Sequence, residues 1–175
     1  MNAPNSLSVL RMLLAVPVAW ALVSGRSGLA TGLLGAALAT DFVDGWLARR
    51  WSASTELGRV LDPLADKVLA GSVLVTLVCL GRVPAELAVV VVARDLTHLA
   101  VGWIRVRAGA PIPGADLPGK VAFAVLGIFL AWHVAGREWP AWVPGVVGAL
   151  YVAAGLRYAA RIPGLFPRRA LRGER

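Results

Sequence analysis

Six long apolar stretches limit this chain to one kind of fold. Each holds close to the roughly 20 mostly apolar residues that a helix needs to cross the hydrocarbon core of a bilayer. Their approximate bounds are Leu7–Val23, Leu29–Arg49, Gly58–Leu80, Pro84–Ile104, Lys120–Ala135 and Ala141–Arg161. The breaks between them are short, so the sequence predicts an all-α integral membrane protein with six transmembrane helices, in a single membrane domain over 1–175.

Composition and charge exclude other classes. Only 16% of the residues are charged, against about a quarter in soluble domains. The net charge of +8 could suggest nucleic acid, but the basic residues lie at the ends of apolar stretches, where they orient helices and attract lipid headgroups. We therefore expect the lipid bilayer, and no nucleic acid, as a partner. A single cysteine, Cys79, rules out a disulfide framework.

The basic residues also predict an orientation. With the N-terminus inside, the outer loops hold only Arg26, Arg82 and Arg137. The inner segments hold many more, namely Arg49, Arg50, Arg105, Arg107, Lys120, Arg168, Arg169, Arg172 and Arg175. The excess of positive charge on the inner side predicts a multi-pass protein of the cell (inner) membrane with both termini in the cytoplasm.

Four aspartates interrupt the apolar sequence. Asp41 and Asp44 are three residues apart, and Asp62 and Asp66 are four apart, so each pair shares one face of a helix. Under the predicted topology both pairs lie at the cytoplasmic ends of helices 2 and 3, where the chain reversal allows them to meet.

Four carboxylates in a low-dielectric setting repel one another unless something neutralises them. Two divalent cations would do so, and oxygen ligands of this kind suit Mg²⁺ or Mn²⁺. Acids within a membrane are functional by default, so we predict a metal site. The alternative is a set of interfacial salt bridges to Arg49, Arg59 and Lys67.

The aspartates belong to a longer pattern. It reads Asp41-x-x-Asp44-Gly45-x-x-Ala48-Arg49, eight residues, then Gly58-x-x-x-Asp62-x-x-x-Asp66. This pattern resembles the complete signature of the CDP-alcohol phosphatidyltransferase family, with every fixed position matched. Near the start of the chain, Asn5, Leu7, Ser8 and Arg11 are similar to the family's Asn-x-Leu-Ser/Thr-x-x-Arg opening.

The resemblance implies an enzyme that releases CMP from CDP-diacylglycerol. It implies that the four aspartates bind two metal ions and that Asp66 is also the general base. It further implies that CDP-diacylglycerol is held by residues of the first three helices and of the loop between helices 2 and 3: Asn5, Gly45, Arg49, Thr55 and Gly58. A homodimer is expected from the resemblance alone.

The acceptor alcohol is predicted from shorter segments. "LDPLADK" (61–67) and "ARD" (93–95) resemble the phosphatidylglycerophosphate synthase and cardiolipin synthase branch. We predict glycerol 3-phosphate, whose phosphate needs a cationic pocket that Arg94, Arg105 and Lys120 could form, with phosphatidylglycerol as the alternative acceptor. Asp95 is expected to pair with a neighbouring arginine.

Other readings of the sequence stay open. His98 and His133 are expected to be hydrogen-bonded neutral side chains. A membrane prenyltransferase is one alternative, since it also uses aspartate-rich motifs and Mg²⁺. A non-enzymatic cation transporter is the alternative from a different class, and it would explain intramembrane acids.

Overall fold

The residues that the structure describes form a bundle of six α-helices. The computed structural model describes the backbone of residues 3–51, 56–107 and 117–160, and the side chains of 8–40, 63–105, 107 and 117–160. The helices are α1 (Ala3–Val23), α2 (Ser27–Trp51), α3 (Glu56–Cys79), α4 (Ala85–Arg107), α5 (Leu117–Val134) and α6 (Val143–Ala160). No strand occurs in these described ranges, so the all-α prediction is confirmed.

Each helix coincides with one predicted apolar stretch to within a few residues. Within the part of the chain that the structure describes, three segments are long and apolar enough to cross a bilayer: Ala85–Arg105, Leu117–Val134 and Val143–Ala160. The apolar parts of α1 and α2 are shorter, at Ser8–Val23 and Ser27–Thr40. Large apolar side chains are widely exposed on the outside of the bundle, as on Leu13 and Val16 of α1. Such a surface is that of a membrane protein.

Three tight turns end the odd-numbered helices in the same way. Gly25, Gly81 and Gly136 follow α1, α3 and α5, and each has a positive φ of about 70°. Each glycine is followed by an arginine, whose backbone N–H donates to the carbonyl five residues earlier, at 2.9 to 3.1 Å. This is the pattern of a Schellman cap, in which glycine takes the left-handed conformation at no steric cost. The Gly-Arg pairs therefore fix where these three helices end.

The core is built around α1 and α3. Five residues of α1 spaced three and four apart are all at most 4% exposed, which makes one continuous buried face: Ser8, Arg11, Ala15, Val18 and Leu22. α1 packs along both α2 and α3, while α6 packs against α4 and α5. The cluster continues through Leu69, Val73 and Leu77 of α3. One member of the α1 face, Arg11, is charged.

Candidate active site

Asp66 lies on α3 in contact with a buried arginine. Nη1 of Arg11, on α1, donates to Oδ1 of Asp66 at 2.6 Å across 55 residues of sequence. The side chain of Arg11 is 1% exposed, whereas that of Asp66 is 35% exposed. The pair therefore has one member locked in the core and one that remains accessible.

The accessible side of Asp66 borders an apolar cavity of about 360 Å³ between α2, α3 and α5. Leu34 and Leu38 line it from α2, and Phe123 and Gly127 line it from α5. Asp66 is the charged residue among the described residues of its lining. An acid at the edge of an apolar cavity suits a ligand with a polar reactive group and an apolar body.

The other three aspartates lie on the predicted helices. α2 contains Asp41 and Asp44, and α3 contains Asp62 together with Asp66, so their separations of three and four residues are helical ones. The side chains of these three lie outside the described residues. Among the side chains that the structure does describe, no three acids, histidines or cysteines come together. The metal site stays a prediction.

The residues predicted to hold CDP-diacylglycerol also fall outside the described side chains. Gly45 and Arg49 are within α2, and Gly58 is within α3. Asn5 is within α1, while Thr55 lies outside the described residues altogether.

A second charged cluster lies on another side of α3, toward α4. Oδ1 of Asp95 accepts from Lys67 Nζ and from Arg94 Nη1, each at 3.1 Å. Their side chains are 28%, 18% and 12% exposed for Lys67, Asp95 and Arg94. The expectation that Asp95 pairs with a neighbouring arginine is confirmed. One carboxylate serves two cations, which leaves a surplus of one positive charge.

The predicted acceptor residues occupy different places. The Arg94 guanidinium lies 5.0 Å from the centre of the Tyr151 ring and borders a cavity of about 390 Å³ between α4 and α6. Arg105 is half-buried in the last turn of α4, and Lys120 is exposed in the first turn of α5. Arg94 belongs to the charged cluster of Lys67, Asp95 and Arg94 described above.

Both histidines have backbone partners, as expected. Nδ1 of His98 is 2.8 Å from the carbonyl oxygen of Arg94, and Nδ1 of His133 is 3.0 Å from that of Phe129. A ring N–H donated to the carbonyl one turn earlier satisfies a histidine within an apolar helix.

The contact that the sequence did not predict is Arg11 with Asp66. The salt-bridge alternative named Lys67 as a partner of the aspartates, but Lys67 contacts Asp95 instead. A signal for Arg11 existed, because it is the single charge in the first apolar stretch, 7–23. A cation at such a position requires an acidic partner inside the bundle.

Comparison with known proteins identifies the class. The chain matches the CDP-alcohol phosphatidyltransferase family over residues 1–156 and belongs to it.

Its relatives lie in the branch that the sequence indicated. A probable phosphatidylglycerophosphate synthase of Mycobacterium tuberculosis is 32% identical over 171 residues, covering 91% of this chain and 81% of that protein. A cardiolipin synthase (CMP-forming) of Streptomyces coelicolor is 33% identical over 179 residues, covering 93% and 83%. A probable cardiolipin synthase (CMP-forming) of Drosophila melanogaster is 33% identical over 175 residues, covering 99% of this chain but 52% of that protein. The chain therefore spans about half of the insect relative and about four fifths of the two bacterial ones.

Proposed function

We propose that this protein transfers the phosphatidyl group of CDP-diacylglycerol to glycerol 3-phosphate and releases CMP. The observation that carries the proposal is the placement of Asp66, the last aspartate of the family signature, at the edge of the apolar cavity between α2, α3 and α5. There a lipid substrate has room for its acyl part next to a carboxylate that can act on its reactive end.

The metal requirement follows from the donor set. Asp41, Asp44, Asp62 and Asp66 would hold two Mg²⁺ (or Mn²⁺) ions. The Asp66 carboxylate fits this role, because carboxylate oxygens are the ligands these ions prefer and the side chain is 35% exposed where it borders the cavity. When bound, the ions would clamp the pyrophosphate and stabilise the attacking and leaving oxygens.

The protein's own residues would perform the remaining steps. Asp66 takes the proton from the acceptor hydroxyl, whose oxygen then forms a bond to the diacylglycerol-linked phosphorus as the bond to CMP breaks. Gly45 gives the nucleotide close approach to the backbone, and Arg49 holds a phosphate. Thr55, Gly58 and Asn5 complete the nucleotide site.

The acceptor phosphate would be bound by Arg94, Arg105 and Lys120. The surplus positive charge of the Lys67–Asp95–Arg94 cluster supports this assignment, because two partly buried cations that share one carboxylate favour an additional anionic ligand. Family membership favours an enzyme of this kind over the non-enzymatic transporter and the prenyltransferase.

Phosphatidylglycerol is the second candidate acceptor. Two of the relatives are named as cardiolipin synthases, and the segments "LDPLADK" and "ARD" do not separate the two branches. In both cases we propose a homodimer, on family grounds.

We further propose that 1–175 is one membrane domain whose six helices all cross the inner membrane, with both termini and the active site on the cytoplasmic side. The identical Gly-Arg ends of α1, α3 and α5 support the alternation, because in a six-span topology these three ends face the same side. In a Cys79→Ser background, single cysteines at Ser27 and Thr55 should be labelled from opposite sides of the membrane. Labelling of both from one side would contradict the topology.

The activity is tested with the purified full chain in nanodiscs. CDP-diacylglycerol and Mg²⁺ are supplied with glycerol 3-phosphate, phosphatidylglycerol, serine or inositol phosphate, and CMP is measured. We expect CMP with glycerol 3-phosphate and none after chelation of the metal. If phosphatidylglycerol is the only acceptor that gives CMP, the protein is a cardiolipin synthase and the first acceptor is wrong. If no acceptor gives CMP, the proposed function is refuted.

A further inference from the structure

We infer that Arg11 is a positioning residue that sets the Asp66 carboxylate for the transfer reaction. This inference rests on the proposed function of Asp66. It starts from an asymmetry of the pair: Arg11 is 1% exposed in the core, while Asp66 is 35% exposed at the cavity, and the two are joined at 2.6 Å.

Packing fixes the position of Arg11. It belongs to the buried face of α1, with Ser8 one turn before it and Ala15 one turn after it, all at most 4% exposed. A side chain that is 1% exposed in a packed core has few alternative rotamers. The Nη1 atom of Arg11 is therefore a fixed point. Asp66 is partly open to the cavity, and its contact with this fixed point restrains the direction in which its carboxylate faces.

Arg11 acts through Asp66 rather than on the substrate. Its side chain is almost fully covered, and it is not among the residues that line the cavity beside Asp66. The neighbouring cation Lys67 does not take its place, because Lys67 contacts Asp95 on the α4 side. The pair therefore ties the opening motif on α1 to the last aspartate of the signature on α3, and it gives a physical role to an arginine for which the signature itself suggests none.

The reaction needs this restraint because a general base must lie within hydrogen-bond reach of the proton it removes. A displacement of about 1 Å can cost about 10²-fold in rate. Losing the guanidinium should thus lower kcat while leaving the binding of CDP-diacylglycerol largely intact, since Asp41, Asp44 and Asp62 do not depend on Arg11 in our proposal.

The test compares Arg11→Met and Arg11→Lys with wild type and with Val18→Ala. Val18 is fully buried on the same face of α1 and serves as a control for lost packing. For Arg11→Met we expect kcat to fall about 10–100-fold, with KM for CDP-diacylglycerol changed by less than about threefold. Arg11→Lys keeps the charge and should recover most of the lost kcat. Val18→Ala should lower the melting temperature without this selective loss of kcat.

A second readout does not depend on turnover. Binding of CDP-diacylglycerol with Mg²⁺, measured without acceptor, should differ by less than about threefold between wild type and Arg11→Met, because positioning of the base affects the chemical step. An unchanged kcat in Arg11→Met would overturn the inference, as would a binding loss as large as the kcat loss or a lysine variant no better than methionine. Absence of CMP release by the wild type would instead refute the proposed function.

If Arg11→Met does not fold, the melting temperature of the double variant Arg11→Met/Asp66→Asn tests whether Arg11 acts through Asp66. Removing one member of a buried pair leaves an uncompensated charge, whereas removing both avoids this penalty. We expect the double variant to melt at a higher temperature than either single variant, because Asp66→Asn alone leaves the buried Arg11 without this anion and Arg11→Met alone leaves Asp66 without this cation. A double variant as unstable as Arg11→Met would show that Arg11 serves the fold by something other than Asp66, and would overturn the inference.

Discussion

Asp66 and Lys67 are neighbours in the chain, but they enter two different charged clusters. Asp66 contacts Arg11 of α1 and borders the cavity between α2, α3 and α5. Lys67 contacts Asp95 of α4 and borders a smaller cavity, of about 170 Å³, between α3, α4 and α5. Two adjacent residues of α3 thus face different sides of the bundle and contact different charged groups.

The two clusters differ in the charge that remains available to a ligand. In the first cluster the anion, Asp66, contacts Arg11 and stays accessible. In the Lys67–Asp95–Arg94 cluster the single anion is shared between two cations, so positive charge is in surplus. The first cluster suits a site for metal ions and proton transfer, and the second suits a site for an anion. In the proposed reaction, these are the needs of the pyrophosphate donor and of the acceptor phosphate.

The largest effects are expected at the aspartates that accompany Asp66. Asp41→Asn, Asp44→Asn and Asp62→Asn should each lower CMP release by several orders of magnitude, because each removes a ligand on which the two-metal clamp depends. Glu86→Gln, an exposed acid at the start of α4, is the control and should behave as wild type. Near-normal release by Asp41→Asn would contradict the metal assignment.

A smaller and more selective effect is expected at Arg94. Arg94→Met leaves Lys67 and Asp95 as a balanced pair but removes the surplus charge. KM for glycerol 3-phosphate should rise about tenfold, the size expected for one charge-assisted hydrogen bond, while KM for CDP-diacylglycerol stays unchanged.

The control for Arg94 is Arg82→Gln, in the loop after α3, which should change neither constant. A rise in KM for CDP-diacylglycerol instead of glycerol 3-phosphate would place Arg94 in the donor site, and the contrast between the two clusters would fail.

The sequence predicted the helices and the family, but not which side chains form the two charged clusters. The length of each apolar stretch predicted a helix, and a Gly-Arg pair follows three of them, because both signals are local. The partner of Asp66 lies 55 residues away and that of Lys67 lies on α4. Such contacts depend on how each helix is rotated about its axis when it packs, and spacing along the chain does not contain that information. Asp95 was predictable because its arginine partner is the adjacent residue.

Asp95, the shared anion of the Lys67–Asp95–Arg94 cluster, should matter more for stability than for chemistry. Asp95→Asn leaves two partly buried cations without their shared anion, so the free energy of unfolding should fall by about 1–3 kcal/mol. The measurement is thermal unfolding in nanodiscs, with CMP release normalised to folded protein. An unchanged melting temperature together with complete loss of turnover would show that Asp95 takes part in the reaction, contrary to the comparison.

The smallest effect is expected in the apolar cavity itself. A Cβ atom added at Gly127 would meet no atom within 4 Å, so Gly127→Leu should place its side chain in the cavity that this glycine lines. We expect kcat/KM for long-chain CDP-diacylglycerol to fall about tenfold relative to a short-chain form, the lower end of the effect of one methylene in an apolar pocket, because a flexible acyl chain can shift within the cavity.

The matched control for Gly127 is Gly32→Leu on α2, which has equal space but does not line the cavity. Equal effects of the two substitutions on chain-length preference would mean that the cavity does not hold the acyl part of the substrate.

The central claim, that Asp66 is the base as well as a metal ligand, is tested most directly by comparing Asp66→Asn with Asp62→Asn. CDP-diacylglycerol binding is titrated against Mg²⁺ for both variants, and CMP release is measured in the same preparations. We expect Asp66→Asn to lose about 10²–10⁴-fold in turnover, the usual contribution of a general base, but to keep most of its binding. Asp62→Asn should lose both. If Asp66→Asn loses binding as completely as Asp62→Asn, Asp66 is a metal ligand and the base is another group.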